Sequence, residues 1–131
     1  MFGQSDPPAI IELGYFKIRL KAHHLRYLLH YLKLEHEEWQ PRDWIDWNRR
    51  KDQLYKLNPL VTIPYFREGD LVVSKPGAIA LAICMRAGRK DLIGNTPQKL
   101  VMVRILQSIL GTLFKLAASL IQKNDQEIRD E

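Results

Sequence analysis

Val61-Thr62-Ile63-Pro64-Tyr65-Phe66-Arg67-Glu68-Gly69-Asp70-Leu71-Val72-Val73-Ser74-Lys75-Pro76-Gly77 is the stretch on which the fold turns. Val61 to Phe66 and Leu71 to Ser74 are short, β-branched and aromatic, which predicts two strands. The connection Arg67-Glu68-Gly69-Asp70 contains glycine and is short enough for a hairpin. Ser74-Lys75-Pro76-Gly77 then predicts a helix start. Serine is a favoured cap, and proline is tolerated in a first turn where its missing N–H is not needed. The helix should continue through Ile79, Ala82, Ile83 and Cys84 and stop near Gly88.

Working back toward the N-terminus, Asn58-Pro59 is a turn signal. Before it, Asp43-Trp44-Ile45-Asp46-Trp47-Asn48 follows Pro41 and leads into a helix through Leu57. Glu35 to Gln40 is a short strand. Leu25, Leu28, Leu29 and Leu32 fall at helical spacing, so a helix is predicted from about Leu20 to about Leu34. Ala9-Ile10-Ile11-Glu12-Leu13 is a buried strand, Gly14 breaks it, and Tyr15 sits just beyond. The order strand, helix, strand, helix, strand, strand, helix fits an α/β layer with a mixed sheet.

Toward the C-terminus, Thr96-Pro97 starts a helix through about Lys123, roughly 40 Å long at 1.5 Å per residue. Arg104, Gln107, Ser108, Gly111, Lys115, Ser119 and Gln122 share one stripe. Around the rest of the circumference lie apolar residues, among them Leu106, Ile109, Leu113, Phe114 and Leu120. A helix docking on its own domain through one face needs an apolar stripe only about 100° wide. The excess predicts a second covering surface, with Leu106, Ile109, Leu113, Phe114 and Leu120 as partner-binding residues. The length also suffices for a membrane span. Arg104 and Lys115 along one line favour protein as the cover, since central charges are costly in lipid. The expected organisation is a tail over 1–8, an α/β domain over 9–92, the long apolar helix over 93–124 and a polar tail over 125–131.

Composition bounds the function classes. The chain has 131 residues, 46% apolar and 27% charged, which excludes a disordered or collagenous chain. A single cysteine, Cys84, excludes a disulfide scaffold and an all-cysteine zinc site. Its apolar neighbours Ala82, Ile83 and Met85 predict a buried, unreactive thiol. His23 and His30 could share a helix face. With His24 and His36 they still lack the further ligands of a metal set, so no metal is expected. Twenty Lys and Arg against 15 Asp and Glu give +5, compatible with an acidic partner but demanding none. The first eight residues contain neither a basic n-region nor an apolar h-region, so a cleavable leader is not expected.

Leu13-Gly14-Tyr15-Phe16-Lys17-Ile18-Arg19, Pro64-Tyr65 after an extended segment, and the hairpin with its helix through Ala78-Ile79 together resemble a known domain. It is the amino-terminal domain of cytosolic glutathione transferases, closest to the mu class, over about residues 9 to 110. The resemblance implies a thioredoxin-like fold (βαβαββα) with Pro64 as a cis-proline; the family continues with an all-helical second domain, of which one long helix rather than the full domain is expected here. It implies that Tyr15 occupies the place of the tyrosine whose hydroxyl favours the glutathione thiolate. Trp47 and Lys51, four residues apart, match the family's tryptophan and lysine contacts to glutathione, and the Ile63 backbone matches its strand-like contact.

Departures from the family pattern point away from catalysis. Lys75-Pro76 stands where the family has Gln-Ser. Proline supplies neither the hydroxyl nor the N–H that would receive the γ-glutamyl carboxylate. Arg19-Leu20-Lys21-Ala22 replaces Arg-Gly-Leu-Ala, putting bulky Leu20 in a small residue's place. The wall of the electrophile site, which the second domain supplies, is mostly lacking. The expected function is therefore a non-catalytic structural or accessory subunit, a pseudoenzyme held in an intracellular multiprotein assembly by its core and its last helix. A mitochondrial membrane complex without a cleavable presequence, or a ribosome, would suit it. Tyr15 is then vestigial, and no cofactor is required. One alternative is a small homodimeric glutathione-dependent transferase or peroxidase, with glutathione as cofactor. Another is an RNA-associated protein binding through a solvated Arg49-Arg50-Lys51 face.

Overall fold

The computed structural model describes residues 9–130, with side chains described through 123. The expected tail over 1–8 lies outside the described residues. Two compact units divide the chain, Met1–Arg89 and Lys90–Glu131.

In the first unit the strands are β1 (Ile11–Gly14), β2 (His36–Trp39), β3 (Tyr65–Glu68) and β4 (Leu71–Ser74). They form one mixed sheet in the order β2-β1-β3-β4. β1 pairs parallel with β2, Ile11 opposite His36, and antiparallel with β3, Gly14 opposite Tyr65. β3 and β4 pair antiparallel, Tyr65 opposite Ser74. The helices are α1 (His23–Tyr31), α2 (Trp44–Tyr55) and α3 (Pro76–Arg86). The sheet is mixed, as the element order implied, and the fold is thioredoxin-like, as the resemblance implied.

Side-chain alternation along a strand separates two cores. Ile11, Leu13 and Phe66 pack with Leu25 and Leu29 of α1 and Ile79, Ala82 and Ile83 of α3. On the other face Tyr65 and Val72 pack with Val61 and with Trp47 and Leu54 of α2. Cys84 is buried, in keeping with its apolar neighbours.

Several boundaries differ from the sequence reading, each for a local reason. Gly14 does not break the first strand but ends it in register. The Tyr65 ring lies so close over it that a Cβ there would come 2.0 Å from Cε1. Val61 to Pro64 is not strand. Pro64 follows a cis peptide and has no N–H for a ladder, and the Thr62 N–H donates to Ser74 Oγ at 2.9 Å. Arg67 and Glu68 pair with β4, so only Gly69-Asp70 makes the turn, with Gly69 at φ 61°. Ser74 does not cap α3. Its hydroxyl donates to the Thr62 carbonyl at 3.1 Å, and the N-cap is Lys75 at φ 75°.

The predicted helix from Leu20 to Leu34 is a 3-10 turn at Leu20–Ala22 followed by α1. It closes early because Lys33 adopts φ 53°. The Lys33 N–H then donates to the His30 carbonyl and the Leu34 N–H to the Leu29 carbonyl. α3 closes by the same pair of bonds through Gly88, at φ 68°, which is the glycine the sequence marked. Asp43 caps α2, accepting from the Ile45 and Asp46 N–H groups at 2.9 Å each.

The second unit is dominated by α4, Pro97–Asp130. Thr96 Oγ1 accepts the Lys99 N–H at 3.3 Å at its start. The helix runs on through the stretch read as a polar tail, because Lys123 to Asp130 contain no Gly or Pro to stop it. Pro97–Lys123 is long and apolar enough, by length and composition, to cross a membrane.

Candidate functional site

Helix α2 carries most of the site, and a half-buried ionic network fixes it to the sheet. Arg50 Nη2 donates to both oxygens of Glu12 on β1, at 2.6 and 2.8 Å. The Tyr65 hydroxyl donates to Glu12 Oε1 at 2.6 Å, and Arg50 Nε reaches the same hydroxyl at 3.2 Å. The guanidinium also stands 5.6 Å from the Trp39 ring centroid. Burial, then the bond to Glu12, pushes the Tyr65 hydroxyl well above its usual titration range. Burial works against the Arg50 charge, yet its bonds to Tyr65 and Glu12 hold its pKa raised. Arg50 is thereby withdrawn from the solvated Arg49-Arg50-Lys51 face expected from the sequence. Arg49 is exposed, while Lys51 is half-buried on a different surface.

That surface is a groove of about 330 Å³. Trp44, Trp47 and Lys51 line it from α2, Thr62, Ile63 and Pro64 from the segment before β3, and Lys75 and Pro76 from the start of α3. Lys21, in the 3-10 turn before α1, completes the lining. Three of the four candidates read from the sequence, Trp47, Lys51 and Ile63, thus meet in one place. Trp47 is mainly a core residue, 4% exposed and stacked on Tyr65 with centroids 5.9 Å apart. Its burial sets how far α2 stands from the sheet. Ile63 presents a backbone N–H and carbonyl that meet no partner among the described residues, leaving a short peptide edge open.

Tyr15 directly follows β1. It is 6% exposed, its N–H donates to the Trp39 carbonyl at 3.0 Å, and it is not among the lining residues. Its ring meets Phe16 edge-on, and Phe16 in turn meets Trp44 edge-on with centroids 4.9 Å apart. Arg26 clamps the loop after Tyr15, donating to the Ile18 and Phe16 carbonyls at 2.7 and 3.1 Å while pairing with Glu38 at 2.7 Å. Leu20 in that loop sits at φ 22°, a backbone setting that favours glycine. Trp44 and Lys21 escaped the sequence reading as site residues. Trp44 had a usable signal, since it precedes Trp47 by three positions and so shares its helix side.

The apolar partner candidates are all on α4 and all exposed. Leu106, Leu113 and Leu120 are 55%, 56% and 63% exposed, and Ile109 and Phe114 are exposed as well.

Known proteins match this arrangement. A family model described as the glutathione S-transferase N-terminal domain matches residues 11–82, more than half of the chain. The chain belongs to the glutathione S-transferase family. Glutathione S-transferase 2 of Gallus gallus is 29% identical over 125 residues, covering 90% of this chain and 54% of that protein. This glutathione S-transferase chain therefore spans about half the length of that curated relative. Among solved structures, rat hPGDS complexed with a quinoline superposes with a TM-score of 0.66 at 25% identity, covering 81% of this chain and 50% of that one. A major nematode glutathione S-transferase of C. elegans superposes with a TM-score of 0.61 at 19% identity, covering 78% and 46%, a likeness of fold. These matches establish the family, not a class within it.

Proposed function

We propose that this glutathione-transferase-like chain is an accessory subunit that does not turn substrate over, held in a larger protein assembly through α4. The observation that carries the reading is the exposed apolar surface of that helix. Ile105, Leu110, Phe114 and Leu120 are all exposed, spread over about half the circumference of one rod at about 100° per residue. An apolar surface of this kind marks an interaction site rather than a solvated face. Arg104 and Lys115, within the same stretch, favour protein over lipid as the cover.

The site residues support the non-catalytic half. Tyr15 is buried, 6% exposed, and is not one of the residues lining the groove that holds Trp47, Lys51 and Ile63. Pro76, at the first position of α3, offers no N–H and no hydroxyl to an anionic group. The reading predicts no Tyr15-dependent chemistry. Conjugation of glutathione to an aryl halide, and reduction of an organic peroxide, should proceed at the uncatalysed rate for wild type and Tyr15→Phe alike. Turnover by the wild type that falls about tenfold or more in Tyr15→Phe would establish the rival reading, a glutathione-dependent transferase or peroxidase. That rival draws its support from the meeting of Trp47, Lys51 and Ile63 on one groove.

A further inference from the structure

We infer that α4 pairs antiparallel with α4 of a second copy of this chain, along a seam centred between Leu110 and Leu113. The helix carries a heptad register. Leu106, Leu113 and Leu120 recur at one core position, and Val103, Leu110 and Ala117 recur at the other, which is the alternating spacing of a coiled-coil seam. At about 100° per residue this seam lies on the side of the helix opposite Arg104, Gly111 and Lys115. Leu106, Leu110, Leu113 and Leu120 are each more than half exposed, so nothing among the described residues fills it.

Charge selects the occupant and its direction. From residue 92 to residue 124 the sequence holds Lys99, Arg104, Lys115 and Lys123 and no acid, and then Asp125, Glu127 and Asp130 follow with Arg129. α4 runs through both stretches. A parallel second copy in register would set basic stretch on basic stretch and Lys99 on Lys99 within the seam. Reversal lays the acidic end of each helix beside the basic start of the other and opposes the two macrodipoles. In the reversed pair each core position lies level with the other one across the seam. Val103 meets Leu120, Leu110 meets Leu113 and Ala117 meets Leu106, each twice by symmetry. Lys99 falls level with position 124, an asparagine, so polar residues close both ends. Ile105 and Phe114 lie on the two flanks of this seam and stay available to a different protein. The inference rests on the reading of α4 as a contact surface and names one of its occupants: the chain enters its assembly as a pair.

The test uses the full chain, purified free of other proteins, in a Cys84→Ala background. Sedimentation equilibrium should give a dimer. Leu110→Lys should weaken it by at least about a hundredfold, because an unpaired charge then enters the seam. Mixing Leu110→Lys with Leu113→Glu should restore a one-to-one dimer, since those positions meet only in the reversed pair. Val103→Cys mixed with Leu120→Cys should form a linked dimer on air oxidation. Neither should link to itself, because like positions lie about 26 Å apart along the axis, beyond disulfide reach. Unchanged melting of the α/β unit would show that the variants are folded. A monomeric or aggregated wild type, a dimer untouched by Leu110→Lys, or self-linking at 103 or 120 would each overturn the inference. Failure of the accessory-subunit reading shows separately, as Tyr15-dependent turnover or as a chain with no companion in its own cells. A linked pair without a companion upholds the pairing alone, and a single chain bound to a companion upholds the accessory reading alone.

Discussion

The α/β unit and helix α4 are built from the same apolar residue types and dispose of them in opposite ways. In the first, Leu13, Leu25, Leu29, Phe66, Ile79 and Ile83 are at most 1% exposed, so their burial stabilises the unit itself. In the second, Leu106, Leu113 and Leu120 are each more than half exposed. The same residue type therefore builds a core in one region and stays exposed in the other. A substitution should separate the two roles cleanly.

The largest effect belongs to the core. Phe66→Ala should cost about 3–5 kcal/mol in urea unfolding of the α/β unit, while Leu113→Ala should change the same transition by less than about 0.5 kcal/mol. A loss of more than about 2 kcal/mol at Leu113 would erase the contrast between the regions. Next in size is the network under α2. Arg50→Met removes two bonds to the Glu12 carboxylate and one to the Tyr65 hydroxyl and should cost about 1–3 kcal/mol, discounted because Arg50 and Glu12 each keep about a fifth of their side-chain surface in solvent. Adding Glu12→Gln to Arg50→Met should recover part of that loss, and the double-mutant cycle measures how much. The smallest effect is a gain. Lys33 holds φ 53° at the end of α1, where α3 uses Gly88. Lys33→Gly should raise stability by about 0.5–1 kcal/mol, read as a higher unfolding midpoint.

Local chemistry made the element order legible. The Leu13-Gly14-Tyr15 strand end, the Gly69-Asp70 turn and the Pro76 helix start each carry their cause within a few residues. Contacts between distant residues stayed hidden. Gly14 reads as a strand breaker until Tyr65, 51 positions later, is seen lying over it. Ser74 reads as a helix cap until its hydroxyl is found on Thr62. Arg50 reads as part of a solvated basic face until Glu12, 38 residues away, claims it. At the site, helical spacing placed Trp47 and Lys51 together, whereas the lysine lining depended on tertiary folding to bring Lys21 and Lys75 to the same groove.

The central claim is that the apolar surface of α4 is covered by another polypeptide. Native mass spectrometry of the tagged chain, purified without detergent from its own cells, tests it most directly against the variant carrying Leu106→Ser, Leu113→Ser and Leu120→Ser. The account predicts that the wild type travels with a different protein at fixed stoichiometry and cross-links to it from Lys115. The variant should be released from that companion while its α/β unit melts at the unchanged temperature. A wild-type chain recovered as a soluble monomer, or one that needs lipid or detergent and carries no companion, would contradict it.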